Sequence, residues 1–176
     1  MTPIRYVRSE DAPRLAAIYA PVVRETAVSF ELEPPSPEEM ARRIENLSRT
    51  HPWIVMEDGE GSILGYAYAA VHRQRPAYRW SVETTVYLDA DHRGQGLGTV
   101  LYTTLLDLAA DWGYVNAFAG IALPNSASEG LHASVGFSRI GVFPRVGYKF
   151  EQWHDVGWWH RPLTPVDAPP TTTPPR

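Results

Sequence analysis

The stretch HRGQGLGT, residues 92–99, sets glycines at every second position between Arg93 and Thr99. Each glycine weakens regular structure. The stretch is therefore either a flexible turn or a place where the backbone itself meets a ligand. A β-branched and aromatic run, WSVETTVYL (80–88), precedes it, and a long run of helical periodicity follows. At a helix N-terminus, unpaired N–H groups point outward and the dipole favours an anion. Glycine lets a phosphate come close to those groups. The alternative is an ordinary glycine-rich turn between strand and helix. Two nucleotide motifs fail on spacing. A P-loop needs a lysine after its last glycine, but Thr99 follows Gly98. A dinucleotide fingerprint needs its last two glycines three residues apart, whereas Gly94, Gly96 and Gly98 alternate. The second chemical signal is Glu83, a carboxylate inside the apolar run. If Val82, Thr84, Val86 and Leu88 face a core, Glu83 faces the other way with Thr85 and Tyr87. Its alternative reading is a solvated residue on an open sheet face.

The elements that must position these residues are legible from periodicity. IRYV (4–7) reads as a strand, and Leu15, Ile18, Tyr19 and Val22 follow at helical spacing. SPEEMARRIENL reads as a helix: Ser36 and Glu39 form a capping box, Pro37 suits the first turn, and Met40, Ile44 and Leu47 share a face. WIVME (53–57) and SILGYAYAAV (62–71) flank the turn-rich DGEG and read as a hairpin. The helix after the glycines carries Leu97, Leu101, Leu105, Leu108 and Trp112 on one stripe and closes at Gly113. A strand (114–123), a short helix ending near Gly136 and one or two terminal strands complete the order. Consecutive strands predict hairpins; strand–helix–strand over 80–123 predicts one parallel crossover. The fold class is α/β (α+β): a mixed, mostly antiparallel sheet with helices on both faces. Residues 1–161 read as one domain, and 162–176, rich in Pro and Thr, as a disordered tail.

Composition narrows the classes. The chain has 176 residues, 44% of them hydrophobic, enough for one sizeable core. It holds no cysteine, which excludes disulfides, thiolate metal sites and cysteine nucleophiles. No apolar run approaches the roughly 20 residues of a membrane helix, and the N-terminus lacks a signal-peptide core. A cytoplasmic enzyme is the simplest reading. The net charge of −4, with basic residues scattered apart from HRQRPAYR, is no nucleic-acid footprint. Lys149 is the only lysine. Six histidines include no HExxH pair, and WHD presents ligands to opposite faces of a strand, so no metal site is expected.

Arg93-x-x-Gly96-x-Gly98, between that strand and that helix, resembles the pyrophosphate loop of the GNAT family of N-acetyltransferases, which use acetyl-CoA. TAVSFELEP, AYRWSVETTVYL, LPNSASEGLHASVGF and VGYKFEQWHDVGWW are similar to the phosphinothricin N-acetyltransferase group, which includes enzymes acting on methionine sulfoximine. The resemblance spans residues 4–161. It implies the GNAT fold, acetyl-CoA as cosubstrate without a metal, and a homodimer, in which Trp153, Trp158 and Trp159 are either interface or core. It implies acetyl transfer to the amino group of a small polar or anionic amino acid. Rival readings are a GNAT enzyme for a polyamine, aminoglycoside or protein N-terminus, and a non-catalytic CoA-binding module.

The resemblance also assigns roles. Glu83 aligns with the general base. His132 stands where many relatives carry a proton-donating tyrosine; acid, base partner and substrate contact stay open. Val86, Tyr87 and Leu88 would offer backbone groups to the pantetheine arm. Arg93, Gly94, Gln95, Gly96, Leu97, Gly98 and Thr99 would hold the pyrophosphate. Asn125, free because Ser126 and Glu129 form the helix cap, and Ser134 are further cofactor contacts. Phe30, Arg73, Arg75 and Tyr78 would receive the substrate, since guanidinium forks suit carboxylate and phosphinate oxygens. Two departures fall on the substrate side: Pro76 stands for an asparagine, and KFEQW for a histidine–glycine pair after the lysine.

Overall fold

The computed structural model describes residues 2–165. The strand runs become β1 (Ile4–Tyr6), β2 (Trp53–Glu57), β3 (Ile63–Val71), β4 (Ser81–Leu88), β5 (Asn116–Leu123), β6 (Ser138–Lys149) and β7 (Gln152–Pro162). The helical runs become α1 (Ala12–Glu25), α2 (Pro37–Leu47), α3 (Leu97–Asp111) and α4 (Ser126–Ser134). The strands form one sheet in the order β1-β2-β3-β4-β5-β7-β6. Every neighbouring pair is antiparallel except β4–β5, the expected parallel crossover through α3.

Alternation along the strands divides the interior into two cores, one on each face. Val82, Ala117, Ala119 and Ile121 pack with Leu101, Tyr102, Leu105, Leu106 and Ala109 of α3. On the other face, Val55 and Tyr66 pack with Leu15, Ile18, Tyr19, Val22 and Val23 of α1 and with Met40 and Ile44 of α2. Fully burying one such aliphatic side chain contributes about 1.5–3 kcal/mol. Helices therefore cover both faces, as the element order requires.

Local details depart from the sequence patterns. The buried stripe of α3 is centred on Leu101, Tyr102, Leu105, Leu106 and Ala109, with Leu97, Leu108 and Trp112 at its partly buried margins. Ser36 Oγ accepts the Glu39 N–H at 3.2 Å, but the Glu39 carboxylate turns to Arg42 and Arg43, so only half of the capping box forms. Pro162 closes β7, and Leu163 N–H bonds the Val115 carbonyl at 2.8 Å. The rest of the expected tail, from residue 166, lies outside the described residues.

The sheet is split where the chemistry was expected. β4 pairs with β5 only at Ser81–Asn116, Val82–Ala117 and Glu83–Phe118. Beyond Glu83 the strands part, while β5 continues to Leu123 paired with β7. The result is a gap between β4 and β5 that opens at Glu83.

Candidate active site

The gap leads to the glycine loop. Asp89 N–H bonds Leu64 on β3 at 2.8 Å. Alternate residues of a strand share a direction, so the main-chain groups of Tyr87 also face β3. Those of Val86 and Leu88 face the gap. Beyond them, Gly94 (φ +75°) and Gly96 (φ +78°) adopt left-handed backbone with open space where a Cβ would stand. Gly96 caps α3 without a side chain. None of the N–H groups from Arg93 to Gly98 forms a well-directed hydrogen bond to a described residue. The Thr99 N–H is engaged by Gly96 O at 3.1 Å, so the donor set ends one residue earlier than the sequence reading placed it. Consecutive free donors at a helix start form a cradle that fits a pyrophosphate. Arg93 folds back to the Leu88 carbonyl at 3.3 Å, and Gln95 to the Asp91 carbonyl at 3.4 Å.

Glu83 stands at the head of the gap. Its Oε1 accepts from His72 Nδ1 at 3.0 Å and from Arg73 Nη1 at 2.9 Å. It lines a cavity of about 330 Å³ with Phe30, Thr85, Gly120, Phe143 and Trp158 among others. The β6–β7 register slips between Phe143 and Gly147, and this bulge brings Phe143 and Val146 to the cavity wall. Arg145, at φ +48°, stands inside the bulge, and its N–H bonds Asp155 Oδ1 at 2.7 Å. The Arg73 guanidinium lies over the Trp158 ring at 5.5 Å.

The α4 residues lie elsewhere. His132 is 6% exposed and sits between Tyr102 and Phe137, with ring centroids 5.1 and 5.3 Å away. Its Nδ1 lies 2.7 Å from the Ser128 carbonyl, which can only accept, so Nδ1 carries the proton and Nε2 the lone pair. Burial pulls its pKa below the ordinary value, partly offset by that bond. His132 does not line the Glu83 cavity. Asn125 is the α4 cap: its Oδ1 accepts from Ser128 N at 3.1 Å. This corrects the expectation that Ser126 and Glu129 would cap the helix and leave Asn125 free. Asparagine caps as well as serine, and Ser126 falls inside the first turn. Ser134 Oγ bonds the Leu131 carbonyl at 2.8 Å.

Comparison with known proteins decides the family. The family described as "Acetyltransferase (GNAT) domain" matches residues 4–158. The chain belongs to the GNAT acetyltransferase family. It is 43% identical over 157 residues to a phosphinothricin N-acetyltransferase of Streptomyces coelicolor, covering 88% of this chain and 92% of that one. It is 34% identical over 171 residues to an L-methionine sulfoximine/L-methionine sulfone acetyltransferase of Pseudomonas aeruginosa, covering 95% and 98%. A crystal structure of a GNAT superfamily phosphinothricin acetyltransferase from Sinorhizobium meliloti, in complex with acetyl-CoA, superposes with a TM-score of 0.94 at 31% identity, covering 98% and 95%.

Within this GNAT domain, the structure brings together some of the sequence-derived candidates. Glu83, Arg73 and Phe30 gather around one cavity system. Arg75 and Tyr78 stand at the turn Pro76–Tyr78, exposed, and line neither hollow. Two residues escaped the sequence reading. His72, in the quoted loop HRQRPAYR, is the direct partner of Glu83. Lys149, whose only signal was being the sole lysine, is 5% exposed. Its ammonium donates to the carbonyls of Val23, Thr26 and Ser29 at 2.6, 2.9 and 2.7 Å, which fixes the loop carrying Phe30. Among the described residues no cluster of three metal-ligating side chains exists, and no helix is long and apolar enough to cross a membrane.

Proposed function

We propose that the chain transfers the acetyl group of acetyl-CoA to the α-amino group of a small anionic or highly polar amino acid, of the phosphinothricin or methionine sulfoximine kind. The observation that carries this reading is the Glu83 carboxylate at the head of the β4–β5 gap, with one oxygen held by cationic Arg73 and the cavity in front of it. When bound, acetyl-CoA supplies the thioester whose carbonyl carbon the amine attacks. The N–H groups from Arg93 to Gly98 hold the pyrophosphate, and the main-chain groups of Val86 and Leu88 align the pantetheine arm. The likeness to a solved acetyl-CoA complex supports this assignment.

An ammonium has no lone pair, so the amine must first lose a proton. Glu83 is the base that takes it. With no cysteine in the chain to carry the acetyl group, direct attack in a ternary complex is the simplest route: the C–N bond forms, the C–S bond breaks, and CoA leaves as a thiolate that takes up a proton while the new amide nitrogen gives one up. His132 in its neutral ring has an acceptor at Nε2; it donates there only after gaining a proton. Asn125 and Ser134 keep at most supporting roles toward the cofactor, because Asn125 Oδ1 caps α4. Phe30 covers the amino acid, and Arg73 and Arg75 supply positive charge for its anionic groups. The exposed apolar residues of the edge strand β6, including Ile140, Phe143, Val146 and Tyr148, and Trp153 on β7 support a homodimer built on this hairpin.

The reading is tested by thiol release from acetyl-CoA across a panel of L-phosphinothricin, L-methionine sulfoximine, spermidine and an aminoglycoside. Turnover confined to the two amino acids is expected. Selective turnover of spermidine or the aminoglycoside contradicts the substrate assignment, and CoA binding with no turnover on any amine contradicts catalysis.

A further inference from the structure

Glu83 has two oxygens, and the structure treats them differently. Oε1 accepts two hydrogen bonds, from His72 at 3.0 Å and from Arg73 at 2.9 Å. Oε2 has no partner among the described residues and is not sealed from solvent. An ionised carboxylate only accepts, so the contact with His72 requires the proton on Nδ1.

The His72 ring is held from several sides. It stacks on Phe118, with centroids 4.4 Å apart and planes 16° from parallel. Tyr78 meets it edge-on at 5.9 Å and Trp158 at 6.2 Å. These contacts fix the direction in which Nδ1 points. We propose that His72 is a positioning residue for Glu83: its Nδ1–H and Arg73 together engage Oε1, so that Oε2 is the oxygen presented to the substrate's ammonium. The inference rests on reading Glu83 as the base.

The charge state of His72 fits this task. Burial pulls its pKa below the ordinary 6.5, Glu83 opposes the shift and Arg73 reinforces it. The titratable groups facing the ring are Glu83 from β4, Arg73 from the next residue and Tyr78 from the neighbouring turn; Phe118 on β5 and Trp158 on β7 bring no charge. A neutral donor orients the carboxylate while weakening it as a base less than a second cation would. His72 does not line the 330 Å³ cavity in front of Glu83, and on this reading it acts through Glu83.

The two features of His72, donor and stacking ring, are separable by substitution. His72→Phe keeps a ring on Phe118 and removes the donor. His72→Asn restores a side-chain N–H near the position of Nδ1 and abolishes the stack. Steady-state kinetics with acetyl-CoA and L-phosphinothricin should give His72→Phe a kcat about tenfold lower, the scale of one lost oriented hydrogen bond. KM should change less than about twofold, and His72→Asn should recover most of kcat. The opposite order, with Phe active and Asn impaired, assigns His72 a structural role and overturns the proposal. Adding His72→Phe to Glu83→Gln should cost nothing further, because the effect runs through Glu83; an additive loss overturns it. If Glu83→Gln keeps wild-type kcat, the reading of Glu83 fails and this inference with it. If Glu83→Gln is inactive while His72→Phe is fully active, only the role of His72 fails.

Discussion

The Lys149 ammonium donates to the carbonyl oxygen of Ser29 at 2.7 Å, across 120 residues of chain. Two further carbonyls, of Val23 and Thr26, complete its coordination. The lysine thus ties the end of β6 to the loop after α1, the loop that delivers Val28 and Phe30 to the cavity. Ser29 is fixed a second time by its hydroxyl, 2.6 Å from Tyr19 Oη. A buried ammonium is tolerated here because it is fully hydrogen-bonded.

Lys149→Met removes the three donors and leaves carbonyls unpaired. The variant should lose about 3 kcal/mol of stability, since each bond to a charged group contributes about 1.5–3 and part of that is offset by no longer burying a charge. A melting temperature lowered by on the order of 5–10 °C is the expected readout. In the folded fraction, KM for the amino acid should rise while KM for acetyl-CoA stays within about twofold of wild type.

Gly147 gives a finer probe of the same loop. A Cβ at residue 147 would overlap the Phe30 ring, so Gly147→Ala must push that ring aside. Phe30 and His154, now 6.1 Å apart between centroids, should separate. Kinetics should show a raised KM for the amino acid and little change in acetyl-CoA binding. Unchanged KM for both substrates would remove Phe30 from the substrate site.

The glycines of the cradle divide by conformation. Gly94 and Gly96 hold positive φ, where a side chain costs about 1–2 kcal/mol. Gly98 does not, and a Cβ there would meet Leu88 and Leu131 at ordinary contact distance, 3.4 and 3.5 Å. Gly96→Ala should therefore lose stability and weaken acetyl-CoA binding together. Gly98→Ala should keep its melting temperature within about 2 °C. Calorimetric titration with CoA separates the two effects.

The pH dependence of stability follows from four histidines. Burial lowers the pKa of His51, His132 and His160, and of His72 despite Glu83. A histidine with a folded pKa below its unfolded value takes up protons preferentially when unfolded, so stability falls as pH drops below that unfolded value. The contribution is complete above about 6.5 and is lost progressively beneath it. Glu31 acts in a lower window: the Arg43 fork, at 2.7 and 3.0 Å, holds its carboxyl below the ordinary 4.5, so its contribution is lost only on further acidification. Thermal melts between pH 7.5 and 5 should fall in the first window, on the order of a few degrees, and His132→Gln should flatten that part of the slope.

The element order was legible because period and turn chemistry agree along the chain. Ser36 and Pro37 mark the start of α2, and Asp58–Gly61 turns the β2–β3 hairpin. The turn at the start of α3 was legible because glycine takes the positive φ of residues 94 and 96 without strain. The position of Glu83 followed from strand alternation, with Val82 and Thr84 buried on the opposite face. His72 was not legible, because its pairing with Glu83 depends on the β3–β4 register, which sets Ala70 opposite Glu83 and so brings the next loop over the carboxylate. Lys149 was missed for a different reason: its partners are main-chain carbonyls, which leave no mark on side-chain type. Asn125 was misread because two good caps stood side by side, and only the backbone bend at Asn125 (φ −153°, ψ 75°) selects between them.

On the proposed function, Glu83 deprotonates the amine of a small amino acid acetylated from acetyl-CoA. The direct measurement is kcat for Glu83→Gln with L-phosphinothricin, by thiol release and by mass of the N-acetyl product, alongside its affinity for acetyl-CoA. A loss of about 10²-fold or more in kcat is expected, with acetyl-CoA affinity and melting temperature close to wild type. Wild-type kcat in a folded, acetyl-CoA-binding Glu83→Gln variant would contradict it.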